Sequence, residues 1–157
     1  MNDLPEDPEQ TMVYRKADIE DWSPQGIPED LRQWQPAVRL VRLVAETAER
    51  IPPEAAPTPA ARRLSGILLW CLATGRYSSW DIEALCDEEP LARHLAGGLN
   101  PTHADIHRFR REHEGALTRA LEGLLQNCAP EQIQADFGAE AVRRYERARF
   151  ADTQAPE

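Results

Sequence analysis

The sequence predicts an all-α protein: a small multi-helix domain containing a helix-turn-helix-like unit, preceded by a disordered acidic N-terminal arm. Three observations carry this expectation. Apolar residues recur at spacings of three and four along most of the chain, which lines one face of a helix. No stretch alternates apolar and polar residues as a half-buried strand would, and no internal repeat occurs. Helix starts and stops crowd the segment from Ala61 to His113. An apolar run ends at Gly75, Ser78-Ser79 open a second helix, Pro90 opens a third that Gly97-Gly98 close, and Pro101-Thr102 launch a fourth. Short helices meeting at glycine-marked turns, the last of them basic, outline a helix-turn-helix nucleic-acid reader.

Taken in order, residues 1–28 are rich in proline and acids and poor in large apolar residues, so they are expected to be mostly disordered, with Tyr14 and Trp22 able to dock locally. The first helix is expected from Pro36 to Ile51. Ala37, Val41, Val44, Ala48 and Ile51 form its stripe, Leu40 and Leu43 widen it, and Pro52-Pro53 end it. Pro57 and Pro59 keep the following residues extended. Leu64 to Thr74 is apolar nearly all round, which predicts a central helix stopped by Gly75. Ser78 to Glu88 follows, with Ile82, Leu85 and Cys86 inward. Pro90 suits the first position of a short helix in which Leu91 and Leu95 pair. Thr102 with Asp105 imitates a capping box for the helix that sets Ile106, Phe109 and His113 on one face. Ala116 to Gln126 carries leucines at core spacing, Pro130 can start a further turn, and Val142, Tyr145 and Ala148 mark a last helix ending near Phe150. The division expected is an acidic arm at 1–28, a helical domain at 29–128 and a C-terminal helical extension with a frayed tail at 129–157.

Length and composition bound the function classes. A chain of 157 residues, 41% apolar, supports one compact domain. No apolar run is long enough for a membrane helix, and the opening MNDLPEDPEQ does not read as a secretory signal. Cys71, Cys86 and Cys128 cannot all pair, so buried free thiols in a cytoplasmic protein are the simplest account. The formal charge of −9 argues against a strong non-specific DNA binder. Its distribution softens that: residues 1–30 hold nine acids against Arg15 and Lys16, giving −7, so the rest of the chain carries −2.

The order of residues Leu68-Leu69, Thr74-Gly75, Ser78-Ser79, Ile82-Glu83, Cys86, Leu95-Ala96-Gly97-Gly98, Pro101, His103, Ile106 and Arg108-Phe109-Arg110-Arg111 resembles the N-terminal helical (InsH-type) domain of bacterial DDE-class insertion-sequence transposases. The segment from Ile27 to Val44 is similar to the lead-in of the same family, and the likeness spans roughly Trp22 to Leu125. The resemblance implies a helical domain that grips the ends of a mobile element. It also implies a following RNase H-like domain with three metal-binding carboxylates, and the residues after Leu125 show no strand followed by an aspartate. Catalysis is therefore not expected. Thr102 stands where the family often has an acid.

The candidate DNA-binding residues are Ser78, Ser79, Thr102, His103, His107, Arg108, Arg110 and Arg111. Thr102 and the open N–H groups at the start of its helix can hold a phosphate. Arg108 and Arg111, three apart, can reach phosphates or a guanine edge. His103 and His107 add donors. The same pattern also fits a solvated face. His103 and His107 have the spacing of two metal ligands, with Cys86 or His94 as a third, but no Cys-x-x-Cys accompanies them, and neither metal nor other cofactor is expected. No glycine-rich phosphate loop occurs, and no small-molecule substrate is expected. The leading expectation is a non-catalytic DNA-binding protein, a regulator or competitor of transposition. The alternative is a protein-interaction module that pairs with itself or with an intact transposase, through the Pro36–Ile51 stripe or the leucine face of Ala116–Leu125.

Overall fold

In a computed structural model of the protein, residues 26–154 are described; most of the expected acidic arm, with Tyr14 and Trp22, lies outside them. The described chain is all-helical. It begins within the body, with Ile27 fully buried. A short 3-10 turn at Leu31–Gln33, capped by Asp30, precedes α1 (Ala37–Glu49), α2 (Pro59–Ala73), α3 (Ser79–Glu88), α4 (Pro90–Ala96), α5 (His103–Glu112), α6 (Glu114–Cys128) and α7 (Phe137–Asp152).

Helix α2 sits at the centre, as its all-round apolar pattern predicts. Every residue from Ser65 to Ala73 is buried, and α1, α4, α6 and α7 all pack on it. It begins five residues earlier than expected. The Thr58 hydroxyl accepts from the Ala61 N–H at 3.0 Å, and Pro59 occupies the first turn, where its missing N–H has no intrahelical partner to lose. Arg62 then reaches back to the end of α1. Its guanidinium donates to the carbonyls of Ala48 (2.7 Å), Ile51 (2.9 Å) and Ala56 (3.0 Å), supplying donors that a helix C-terminus lacks.

The stripe of α1 and the leucines of α6 face each other inside the body. Leu40, Val41, Val44 and Ala48 are buried on α1, and Leu117, Leu121, Leu124 and Leu125 on α6. Both surfaces expected to pair with another chain are thus consumed by the core. Helix α7 packs chiefly on α6 and corrects a second expectation. Its inward face is Glu140, Ala141, Arg144, Tyr145 and Ala148, whereas Val142 is 46% exposed and Phe150 67% exposed.

Two buried arginines hold α7 in place. Arg144, fully buried, bonds Glu140 Oε2 at 2.9 Å and donates to the carbonyls of Pro28 (2.5 Å), Glu29 (3.0 Å), Leu72 (2.7 Å) and Ala73 (3.3 Å). Two of those carbonyls belong to the last turn of α2, so this one side chain ties α7 to α2 and to the start of the described chain. The other, Arg110, belongs to the candidate site.

Candidate functional site

Helix α5 is built as expected at its start. Thr102 Oγ1 accepts from the Asp105 N–H at 3.1 Å, and Asp105 Oδ2 accepts from the Thr102 N–H at 3.1 Å, a reciprocal capping box. The expected phosphate cradle is already filled. Glu83, reaching from α3, accepts from the His103 N–H and contacts His103 Nδ1, both at 2.9 Å. Hydrogen bonds from the His103 ring and backbone hold the Glu83 carboxyl below its usual range. A carboxylate of the protein's own thus occupies the positive end of α5, where a bound anion would sit. The Trp80 ring stacks on His103 at 4.7 Å.

The second cluster converges on Asp152, at the end of α7. Its Oδ1 accepts from the Ser79 N–H (2.8 Å) and hydroxyl (2.7 Å), while Oδ2 meets Arg110 Nη2 (2.6 Å) and His107 Nδ1 (2.9 Å). Burial pushes this carboxyl up, but the bonds from His107, Ser79 and Arg110 outweigh it and leave it below the usual range. The other arm of Arg110 donates to the Tyr77 carbonyl at 2.7 Å, and the Tyr145 hydroxyl donates to the Arg110 carbonyl at 2.9 Å. One carboxylate therefore joins α3, α5 and α7.

These contacts sort the eight candidate DNA-binding residues. Ser79 and Arg110 are buried and committed to Asp152, which corrects their assignment as readers of a ligand outside the fold. Ser78 caps α3 and Thr102 caps α5. His103 and His107 are half-exposed, each against a carboxylate. Arg108 is 63% exposed beside Asp105, and Arg111 is exposed. The sequence did carry a signal for the two inward residues. Ser79 lies three residues before Ile82, and Arg110 four after Ile106, so both fall on buried stripes.

The turn after α2, the first turn of α3 and the outer face of α7 enclose an open groove of about 860 Å³. Tyr77 and Trp80 form one wall; Arg143, Arg147 and Phe150 form the other. Its base is pinned by Glu29, which accepts from the Tyr77 hydroxyl at 2.9 Å and from Arg147 Nη1 at 2.7 Å. Burial, with Glu29 adding to it, pushes the Tyr77 hydroxyl up to about 12. Gly75 lets the chain turn beneath the groove: its φ is +77°, and a Cβ there would lie 3.2 Å from Glu29 Cγ. Sequence reasoning missed this groove because it used Phe150 only to mark the end of the last helix. Its spacing of five from Tyr145 and two from Ala148 puts it off the buried stripe.

No family model matches the chain, and neither a curated protein nor a solved structure matches it significantly. Among the described residues, no group of three or more His, Cys, Asp or Glu side chains is placed to hold a metal ion, and no helix is long and apolar enough to cross a membrane. The three cysteines are free and buried. Burial raises all three thiols, Cys86 and Cys128 to about 11.

Proposed function

We propose that this chain is a non-catalytic protein-interaction module whose docking surface is the groove between α3 and α7. The observation that carries the reading is Phe150, a large aromatic side chain left 67% exposed on the rim of a trough walled by Tyr77 and Trp80. Aromatic anchors beside a preformed apolar cleft dominate binding energy at protein interfaces. The lining carries both signs, Glu29, Asp81 and Glu146 against Arg143 and Arg147, which suits a partner of mixed charge rather than a polyanion. The occupant that fits is an amphipathic helix with an apolar anchor and charges of both signs beside it.

A helical-peptide display library panned on the wild-type chain tests this. Enriched peptides should quench Trp80 and lose about thirtyfold or more in affinity against Phe150→Asp, as removal of a hot-spot aromatic does. Peptides that bind the wild type, Phe150→Asp and Trp80→Ala equally would sink the reading.

DNA contact remains a second reading. It rests on Arg108 and Arg111, which point outward from α5, and on the likeness of residues 68–111 to transposase end-binding domains, with α3 to α5 as the helix-turn-helix-like unit. The chain would then act as a regulator or competitor at element ends. Anisotropy titration with duplex DNA at low salt checks it: binding should weaken with salt and with Arg108→Ala/Arg111→Ala. Silence in both would remove it.

A further inference from the structure

We infer that the groove is covered by a segment of this same chain, residues 12–22, with Trp22 seated beside Phe150. This rests on the docking function proposed for the groove, names an occupant for it and makes any foreign helix a competitor. The place where the chain enters the body selects the segment. Arg144 holds the carbonyls of Pro28 and Glu29 at 2.5 and 3.0 Å, so the entry point is fixed against α7. Glu29 then lines the groove itself, accepting from the Tyr77 hydroxyl and from Arg147. Residues 1–25 lie outside the described residues, but they depart from this wall. Trp22 stands seven positions before Glu29, a reach of at most about 24 Å for an extended chain. Arg143 to Phe150 span about 10 Å along α7, so that wall lies within range. Gly26, with φ +85°, takes a conformation that lets the chain turn there.

The chemistry of the segment matches that of the groove. Met12, Ile19 and Trp22, seven and three apart, fall along one stripe of a helix. Arg15 and Lys16 supply cations beside it, and Asp18, Glu20 and Asp21 supply carboxylates. The lining offers the exposed acids Asp81 and Glu146 to the first group. To the second it offers the outer part of Arg143, whose side chain is 32% exposed beyond its bond to Glu140. Trp22 brings a large apolar ring to Phe150 and Trp80, where aromatic pairs gain more than their buried area alone. The tether favours this segment over any other occupant. A short flexible linker holds it at an effective concentration in the millimolar range, so a weak contact suffices. A second copy of the chain, by contrast, approaches against a net charge of −9 on each partner.

Amide NMR spectra of the full chain test the inference. Trp22→Ala should shift the amides of Tyr77, Trp80, Asp81 and Ala151, and the wild-type spectrum should be the same at high and low protein concentration. The Trp22 indole N–H should resonate away from the position of a solvated tryptophan and return to it in Phe150→Asp. Trp22 lies outside the body and Phe150 is exposed, so both variants should keep the fold, which a thermal melt checks. A synthetic peptide of residues 11–25 should bind full-length Trp22→Ala about tenfold more tightly than the wild type, because the tethered competitor is gone. Amides perturbed only next to residue 22, or on another face of the body, overturn the inference, as does equal peptide binding to the two chains. A wild-type spectrum that changes on dilution also overturns it, since the segment would then cover a second copy. Display-library peptides that bind wild type and Trp22→Ala equally, yet depend on Phe150, would end the self-docking and leave the docking function standing.

Discussion

Replacing Arg144 with methionine tests the packing of α7 most directly. The substitution keeps an unbranched apolar stem, shorter than arginine's, and removes five hydrogen bonds, four to backbone carbonyls and one to Glu140 Oε2. Breaking a buried ion pair costs about 3–5 kcal/mol when the surviving charge is stranded. Glu140 would not be wholly stranded, because Arg143 holds its other oxygen at 3.0 Å, so that contribution belongs at the low end. The carbonyls of Leu72 and Ala73 lie at the end of α2, and a buried acceptor left without a donor costs about 1–3 kcal/mol. A total of about 4 kcal/mol follows, which for a domain of this size lowers Tm by roughly 10 °C. Urea denaturation followed by circular dichroism should show an earlier midpoint with an unchanged slope. The double variant Glu140→Leu/Arg144→Met should lose less than the sum of its singles, with a coupling of about 1–3 kcal/mol. A loss below about 1 kcal/mol for Arg144→Met would mean that water takes over the carbonyls, and the account of Arg144 as the tie between α7 and α2 would be refuted.

Other expectations can be checked on the same purified chain. The Asp152 carboxyl is held below its usual range in the fold, so the stability it contributes is present above the ordinary carboxylate range and is lost as pH falls through the folded value. Asp152→Asn should lower the urea midpoint at neutral pH and flatten its acid dependence; an unchanged acid slope would contradict the role given to Asp152. Cys71, Cys86 and Cys128 should stay silent to a thiol reagent at mildly alkaline pH and all react after unfolding, and prompt labelling of the native chain would place a thiol at the surface. Thr102→Ala should cost about 1 kcal/mol by opening the capping box of α5, measured against the same urea curve.

Local chemistry made much of the fold legible. Ser78, Thr102 with Asp105, Pro90 and Gly97 each act within a few residues of themselves, and the structure uses each at the boundary expected of it. Pro59 was harder, because the same ring that breaks a helix interior suits its first turn; the Thr58 cap decides between the two. The candidate site was legible only in outline. Placing Arg108 to Arg111 on one helix needs spacing alone, but the fate of Arg110 depends on Asp152, 42 residues away. The groove depends on α3 and α7 meeting, which no local pattern announces.

The inward arginines bear on what the protein can bind. Arg110 pairs with Asp152 and Arg144 with Glu140, so each buried pair removes one charge of each sign from the surface. The formal charge of −9 is therefore still carried outward, while the cations open to a polyanion are fewer than the sequence counts. On α5, which carries Arg108, Arg110 and Arg111, Arg108 already shares Asp105, and the N-terminal amide end holds Glu83. A nucleic acid approaching α5 must displace a carboxylate or settle for Arg111 and part of Arg108. A helix entering the groove covers Phe150, whose exposure to water is the unfavourable feature that association would remove.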